Sequence, residues 1–334
     1  MKICIFGAGA VGGMIGGELA RVGHNVTLIA RGAHLAAMQT SGLTVIMNGE
    51  RRHSTPFATD DPTEAGIQDV VIFVVKTHHL AAASIQAQPL LGPDTIIVAA
   101  QNGIPWWYRH GLDGPLADKT LTAVDPGDII WNAFGPDRVV GAVINGSCAL
   151  QAPGIVDHHQ TSRSFTIGEP LGGITQRCQD LAAMFKDTDI DVPIVEDIRH
   201  ALWAKLLNNI GVSTICVLTR APLGNVNGDP RCFALAIQIM EETARVAARL
   251  GMDLSDAVAA RIKGGPVSTA HKPSTLQDFE AGRPMEIDTI VGAVIEIGRL
   301  IDEPTPVIEN VYALLRRLAE ETGTYPENPA FTII

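Results

Sequence analysis

The sequence has little of what marks secreted, nucleic-acid-binding or membrane proteins. Its five cysteines are widely spaced and include no C-x-x-C pair, which favours free thiols in a reducing cytosol over a disulfide framework. The formal net charge is −11 at pH 7, and no Lys/Arg cluster interrupts it, so a nucleic-acid partner is not expected. The uncharged run 139–156 contains asparagine, glutamine, proline and several glycines and would make a poor membrane span. We therefore expect a soluble, cytoplasmic protein.

Apolar residues, by contrast, are abundant. They make up 46% of the 334 residues, against 18% charged, which is enough for two buried cores. Up to residue 195, short apolar, β-branched runs alternate with helical segments, and beyond it long helical segments follow one another. We predict an α/β chain with an N-terminal Rossmann-type parallel-sheet domain over residues 1–195 and an all-α domain over residues 196–334.

The beginning of the chain predicts a dinucleotide site. Residues 2–6 form an apolar run that ends in Gly7-x-Gly9-x-x-Gly12, and helical periodicity follows. This is the strand, glycine turn and helix order of a Rossmann fingerprint. Gly7 permits the tight turn, Gly9 lets the backbone approach a pyrophosphate, and Gly12 allows close helix–strand packing. The predicted cofactor-binding residues of this stretch are Gly7, Ala8, Gly9, Ala10, Val11 and Gly12.

The residues after the second predicted strand, 25–31, favour NADP over NAD. No acidic residue occurs between Glu18 and Glu50, so the carboxylate that usually binds the ribose of NAD is missing. Arg31 stands at the end of the strand and His34 one helical turn later. A guanidinium suits a 2′-phosphate, and we predict NADP(H) bound through Arg31. The alternative is that Arg31 is a solvated loop residue.

Polar residues follow two further apolar runs that are typical of central parallel strands, 69–75 and 95–100. Lys76 follows the first run and Asn102 the second. Ligands of such sheets bind at the carboxyl ends of the strands, so both residues are candidates for the cofactor or substrate cleft. A turn or capping role is the alternative for Asn102.

The sequence patterns that indicate helices and strands are weaker between residues 104 and 168, where we predict peripheral β structure. The aromatic stretch Trp106-Trp107-Tyr108 is expected to pack in the interior rather than to line a pocket. A helix over 176–185 and an edge strand over 190–195, limited by its proline, complete the first domain.

The second domain is predicted to be helical over 198–217, 230–250, 255–263, 274–281, 287–301 and 305–321. In the first of these helices Lys205, Asn209 and Ser213 recur every fourth residue and share one face. Their neighbours are strongly apolar, so we expect a partly buried Lys205, and a solvated stripe is the alternative. Ser274 and Gln277 match a capping box, which would account for Ser274. It does not account for Glu286, which adjoins an apolar segment and is a candidate carboxylate partner for Lys205.

No metal site is predicted. The histidine pairs 78–79 and 158–159 are not joined by a cysteine or carboxylate at ligand spacing.

Jointly these motifs resemble the ketopantoate reductase (2-dehydropantoate 2-reductase) family over essentially the whole chain. The resemblance is carried by Gly7-x-Gly9-x-x-Gly12, Arg31, Val75-Lys76, Gln101-Asn102-Gly103, Trp203-x-Lys205-x-x-x-Asn209, Ser274-x-x-Gln277-Asp278 and Glu286-Ile-Asp288. It implies an NADPH-binding Rossmann domain and a helical domain of the 6-phosphogluconate dehydrogenase C-terminal type that closes the cleft. The implied reaction is NADPH-dependent reduction of 2-dehydropantoate to (R)-pantoate in pantothenate and coenzyme A synthesis.

The resemblance also implies roles for individual residues. Lys205 would donate the proton to the substrate. Glu286 would position Lys205 and would also contact the substrate and the cofactor. The implied substrate-binding residues are Asn102, Asn209, Ser213 and Ser274, and Asn102 and Lys76 would also contact the cofactor.

Alternatives remain at this point. Ser213 stands where the family often has a second asparagine, which leaves open another branched or aromatic 2-oxo acid as substrate. A redox-sensing NADP-binding protein without catalysis is a further alternative, and the long apolar C-terminal helices are compatible with a homodimer.

Overall fold

The computed structural model describes residues 1–146, 148–158, 163–264 and 270–326. They form two compact units. Unit 1 comprises Met1–Gln101 and Ile129–Ile198, and unit 2 comprises Asn102–Asp128 and the chain from Arg199 onwards. The change of pattern near residue 195 thus lies close to the end of unit 1. Residues 102–128 belong with the helices rather than with the sheet, because their backbone is bonded there: the Arg199 guanidinium donates to the Tyr108 carbonyl at 2.9 Å.

The framework of unit 1, in the part of the chain described, is a seven-stranded sheet in which only the last strand runs antiparallel to its neighbour. The strands, numbered in chain order and given in spatial order, are β11 (Ser164–Gly168), β8 (Val139–Asn145), β7 (Leu91–Ala99), β6 (Gln68–Phe73), β1 (Lys2–Phe6), β2 (Asn25–Ile29) and β5 (Phe57–Thr59). Residues 70–73 of the central strand β6 are apolar and buried on both faces of the sheet, as is typical of a parallel strand covered on both sides. The predicted Rossmann-type sheet is confirmed.

The first helix, α1 (Ala10–Arg21), packs between this sheet and a second, four-stranded sheet. The second sheet has the order β4 (Glu50–Ser54), β3 (Leu43–Met47), β10 (Ile155–His158) and β9 (Cys148–Ala152). Glycines on α1 allow both contacts, since an added Cβ would overlap Leu28 at Gly16 and would lie 2.6 Å from Val45 Cγ2 at Gly17. β3 forms an antiparallel hairpin with β4 and pairs in parallel with β10 on its other side.

The remaining helices of unit 1 flank the large sheet. They are α2 (Gly32–Ser41), α3 (Thr77–Gln86), α4 (Ile129–Phe134) and α5 (Gln176–Ala183), with 3₁₀ turns at Pro62–Glu64, Gln88–Leu90 and Pro136–Arg138.

Two predictions for this region are wrong in part. Residues 104–128 contain turns and the 3₁₀ turns Gly114–Leu116 and Pro126–Asp128 instead of peripheral strands. The predicted edge strand 190–195 forms only isolated bridges to β11, at Asp191 and Ile194, among the residues described.

Unit 2 is helical, as predicted. Its helices are α6 (Ile198–Asn208), α7 (Thr214–Thr219), α8 (Leu223–Gly228), α9 (Pro230–Arg249), α10 (Ser255–Gly264), α11 (Ser274–Glu280), α12 (Ala293–Leu300) and α13 (Pro306–Glu321). The Asp229 side chain caps α9 by accepting from the Arg231 and Cys232 amides, and Pro230 occupies the first turn. The three aromatic residues Trp106, Trp107 and Tyr108 are at most 5% exposed, and Trp203 Nε1–H donates to the Tyr108 hydroxyl at 2.7 Å. The interpretation of these residues as packing residues is confirmed.

A π turn, Asn209–Ser213, joins α6 to α7 and makes one helical run from Ile198 to Thr219. By length and composition alone this run could cross a membrane, but most of its apolar part is buried inside the protein, as in the core helix of a soluble protein. A second π turn, Asp288–Gly292, precedes α12.

Candidate active site

The glycine turn of unit 1 has the conformation that its residues predict. Gly7 has φ +98°, and an added Cβ would lie 2.6 Å from Val75 Cγ1. At Gly12 an added Cβ would overlap the Gly7 carbonyl oxygen, so α1 can approach β1 only with glycine there. Gly7 and Gly12 are therefore required by the fold itself.

Gly9 differs from both because nothing lies within 4 Å of a Cβ built on it. The space beside this residue is open, so packing within the protein does not explain the glycine. A ligand that approaches the backbone closely would explain it.

The helix start beside Gly9 provides a set of amide donors. The N–H of Ala8 donates to the Ile29 carbonyl at 2.8 Å, and that of Gly9 to the Gly7 carbonyl at 2.8 Å, so these amides are used within the protein. The first helical hydrogen bond comes from Gly13 N–H to the Gly9 carbonyl at 2.7 Å, which leaves the amides of Ala10, Val11 and Gly12 ahead of it. No side chain caps this end of α1, and no acidic residue stands in its first turn. The site has the donor set and the positive potential that a pyrophosphate requires.

Arg31 lies just beyond the carboxyl end of β2, at the start of α2, and is exposed. Within the described residues it forms no ion pair, so its charge is not neutralised by a carboxylate.

His34, one helical turn after Arg31, does not add a second positive charge. Its Nδ1 accepts from the Gly154 N–H at 2.9 Å, and burial lowers the pKa of His34. Both effects favour the neutral ring. Lys76, three residues beyond the carboxyl end of β6, is partly buried and directly precedes α3.

In unit 2, Lys205 and Asn102 meet although 103 positions separate them in the sequence: Lys205 Nζ donates to Asn102 Oδ1 at 2.7 Å. Lys205 lies near the end of α6 and is partly buried, and Leu206 and Leu207 beside it are each 1% exposed. The predicted partly buried lysine is confirmed. The Asn102 side chain therefore accepts a hydrogen bond from Lys205, so its role is not limited to forming a turn.

The electrostatic setting of Lys205 follows from this position. Burial disfavours the ammonium and lowers its pKa to about 8, whereas the Glu286 carboxylate raises it. Glu286 is 7% exposed and directly precedes the helical segment that begins at residue 287. A lysine whose pKa lies near neutrality can both hold and release a proton under physiological conditions.

Asn209 and Ser213 begin and end the π turn that follows α6. The four-residue step from Lys205 to Asn209 is mostly α-helical and rotates slightly more than one full turn about the helix axis. The four-residue step from Asn209 to Ser213 lies in the wider π turn and rotates slightly less than one full turn. The two deviations oppose each other, so the π turn keeps Ser213 close to the helix face of Lys205. Ser213 is 9% exposed and Asn209 is partly buried.

Ser274 does not cap α11, contrary to the predicted capping box. The N-cap position is Pro273, no side chain caps the helix, and Ser274 is the exposed first residue of α11. Gln277 instead donates to the Lys272 carbonyl at 2.7 Å. The Ser274 hydroxyl is therefore not used as a helix cap, and α11 packs against the π turn 209–213.

A buried group of hydrogen bonds around the carboxylate two residues after Glu286 was not predicted. Asp288, which is 5% exposed, accepts from the Tyr312 hydroxyl at 2.5 Å and from the Tyr325 hydroxyl at 2.8 Å, and burial raises its pKa. The Met285 N–H donates to the Thr324 carbonyl at 2.9 Å. These bonds connect the segment of Glu286 to α13 and to the residues that follow that helix. Only the proximity of Asp288 to Glu286 in the sequence hinted at such a role.

No group of three or more histidine, cysteine or carboxylate side chains that could hold a metal ion occurs within the described ranges. His159, a member of one histidine pair considered above, lies outside those ranges.

Comparison with known proteins places this chain in one family. Residues 3–172 match the family model Ketopantoate reductase PanE/ApbA, and residues 197–319 match Ketopantoate reductase PanE/ApbA C terminal. A 2-dehydropantoate 2-reductase from Mesorhizobium japonicum is 44% identical over 97% of this chain and 100% of its own length.

Comparison with solved structures gives the same family. The crystal structure of a candidate ketopantoate reductase from Ralstonia solanacearum has a TM-score of 0.91 and 37% identity, over 97% of this chain and 99% of that one. D-mandelate dehydrogenase with NADH and anilino(oxo)acetate has a TM-score of 0.82 at 22% identity, over 97% and 100% of the two chains, a likeness of fold alone. The predicted family and fold class are confirmed: the chain is an oxidoreductase that belongs to the ketopantoate reductase family.

Proposed function

We propose that this protein reduces 2-dehydropantoate to (R)-pantoate with NADPH, a step of pantothenate and coenzyme A synthesis. The observation that supports this most directly is the pair of Lys205 and Asn102, joined at 2.7 Å in an environment that lowers the pKa of the lysine to about 8. Reduction of a ketone needs a proton donor for the oxygen as the carbon is reduced, and such a lysine can supply it. The name of the Mesorhizobium relative supports the choice of substrate.

The residues present in unit 1 fit a dinucleotide. The open space at Gly9 and the amides of Ala10, Val11 and Gly12 would hold its pyrophosphate, and Arg31 would bind the 2′-phosphate. When bound, NADPH supplies the hydride. Lys76, three residues beyond the end of β6, completes the proposed cofactor residues of this unit.

The residues of unit 2 would handle the proton. The ammonium of Lys205 donates to the substrate oxygen, which gains negative charge during reduction, and a buried cation stabilises that charge more strongly than an exposed one. Asn102 Oδ1 holds Nζ in place by accepting from it. Glu286 favours the charged form of Lys205, so the proton is present when it is needed.

Asn209, Ser213 and Ser274 are the proposed substrate-binding residues. Asn209 and Ser213 flank the π turn beside Lys205, and Ser274 lies on α11, which packs against that turn. Ser213 is shorter than the asparagine that the family often has there, and this favours a second candidate function, reduction of a bulkier branched or aromatic 2-oxo acid.

The test is steady-state oxidation of NADPH with 2-dehydropantoate and a panel of branched and aromatic 2-oxo acids. A clear preference for 2-dehydropantoate in kcat/KM supports the proposal. Turnover with another acid alone would assign the second function, and no turnover with any would contradict both. Light scattering would check the homodimer, which stays a prediction, as does the cytoplasmic location.

Cofactor choice has its own test in Arg31→Gln. A hydrogen bond to a charged group contributes about 1.5–3 kcal/mol, so the KM for NADPH should rise about 10- to 100-fold while that for NADH changes little. The control is Arg51→Gln, since Arg51 is an exposed arginine of β4 in the same unit. Equal losses for both cofactors would contradict the phosphate assignment.

A further inference from the structure

The residues that follow Asn102 are held unusually tightly. Gly103 has φ +82°, and an added Cβ would overlap the carbonyl oxygen of Thr289 and lie 2.6 Å from its carbonyl carbon. The next amide, Ile104 N–H, donates to that same carbonyl oxygen at 2.8 Å. Two successive residues after Asn102 thus contact one backbone carbonyl, which we call the Thr289 dock.

The π turn explains why this carbonyl is directed at the loop. In a regular α-helix the Thr289 carbonyl would accept from Ala293 N–H, but this N–H donates to the Asp288 carbonyl, five residues before it. In the π turn the Ala293 N–H is thus bonded differently from its place in a regular α-helix. Thr289 is 2% exposed, so its carbonyl needs a partner within the protein. Ile104 provides one.

The surroundings make the dock rigid. The π turns 209–213 and 288–292 pack against each other. Residues 285 and 288 are bonded to Thr324 and to two tyrosine hydroxyls. A buried and bonded carbonyl can define the position of a neighbouring loop much more closely than a solvated contact could.

We propose that the Thr289 dock, with Gly103 as its required small residue, is a positioning device for the catalytic pair: it sets the backbone after Asn102 so that Asn102 Oδ1 meets Lys205 Nζ. Gly103 and Thr289 are positioning residues and touch neither reactant. The proposal rests on the proposed function for the role of Lys205. Its central claim, that the dock acts through Asn102, is testable without any turnover.

The primary experiment is a double-mutant cycle of Gly103→Ala and Asn102→Ala, read as kcat/KM. Displacement of a reacting group by about 1 Å can cost about 100-fold, so Gly103→Ala alone should lower kcat/KM about 10- to 100-fold. In the Asn102→Ala background, where no carboxamide remains to be positioned, the same change should cost less than about threefold. An equal loss in both backgrounds would mean that Gly103 is merely structural and would overturn the proposal.

The matched control is Gly114→Ala. Gly114 belongs to the same unit and has φ +78°, but nothing lies within 4 Å of a Cβ built on it. This variant therefore carries the backbone strain without the overlap and should keep kcat/KM within about twofold. Gly103→Asn is a second variant to test, because asparagine tolerates positive φ better than alanine while still adding the Cβ that overlaps the Thr289 carbonyl oxygen.

A second readout separates this proposal from the proposed function. The chain has seven lysines, so ¹³C-labelled lysine permits an NMR titration in which Lys205 is assigned by its loss in Lys205→Met. An acceptor oxygen favours the ammonium, so Asn102→Ala should lower the pKa of Lys205, and Gly103→Ala and the double variant should lower it equally. A wild-type titration in Gly103→Ala would overturn the dock. A wild-type enzyme that reduces no 2-oxo acid would contradict only the proposed function, and the titration would still decide the dock.

Discussion

Replacing Lys205 with methionine should abolish turnover and, at neutral pH, stabilise the protein. Burial lowers the pKa of Lys205 from 10.5 to about 8, and the unfolded chain restores the ordinary value. The folded state therefore binds the proton more weakly than the unfolded state does. Below pH 8 both states carry the ammonium and folding is penalised in full, and as the pH rises from about 8 towards 10.5 the penalty disappears.

The size of the effect can be estimated from the same shift. One pKa unit corresponds to about 1.4 kcal/mol, so the full penalty is about 3 kcal/mol, and because Lys205 is only partly buried a gain of about 1–2 kcal/mol is realistic. Methionine fits the same space and carries no charge, but it leaves Asn102 Oδ1 without its donor, at a cost of about 1 kcal/mol that does not depend on pH. The pH-dependent part is therefore the decisive quantity.

The assay is denaturant unfolding of both proteins at pH 7 and pH 10, with turnover measured in parallel. Relative to the wild type, Lys205→Met should be more stable at pH 7 than at pH 10 by about 1–2 kcal/mol. Lys119→Met is the control, since Lys119 is an exposed lysine of the same unit and its loss should have no such dependence. A stability difference that is the same at both pH values, or a variant that still turns over, would refute the reasoning.

Two further variants test the neighbouring groups. Glu286→Gln removes the carboxylate that raises the pKa of Lys205, so the alkaline fall of kcat should move from about pH 8 to lower pH, and a pH–rate profile that does not move would contradict the pairing. Gly9→Ala should leave the thermal midpoint unchanged and weaken NADPH binding about tenfold, because its Cβ enters only the open space at the start of α1. Gly12→Ala should lower the midpoint even without cofactor, since its Cβ overlaps the Gly7 carbonyl, and equal midpoints for the two variants would show that the two glycines do not differ in this way.

Local patterns predicted the parts of the fold that local physics controls. The start of the chain has strand, turn and helix where periodicity and glycine chemistry place them, and α9 begins at Pro230 as its proline indicates. Such signals work because they depend on neighbours within one or two turns. The predicted capping box at Ser274 was wrong because a residue pattern does not fix the residue at which a helix begins. Pro273 occupies the N-cap position, and the Gln277 side chain donates to the Lys272 carbonyl.

Long-range pairing could not be predicted in this way. The pairing of β3 with β10 joins residues 111 positions apart in the sequence, and no spacing rule links them. The placement of residues 102–128 in unit 2 depends on single bonds such as Ile104 N–H to the Thr289 carbonyl. The π turns could not be predicted from the sequence either. An i to i+5 hydrogen bond requires no particular residue type and only shifts the helix face by one position.

The sequence by itself therefore determined the fold class, the dinucleotide fingerprint and the residue types of the site, since glycine, lysine and asparagine each bring their chemistry wherever the chain places them. Only the tertiary structure decided that Lys205 donates to Asn102, that burial brings the pKa of Lys205 to about 8, and that His34 is a neutral packing residue. The physical reason is that a hydrogen bond and a desolvation penalty depend on distance and burial, and both are properties of the folded chain.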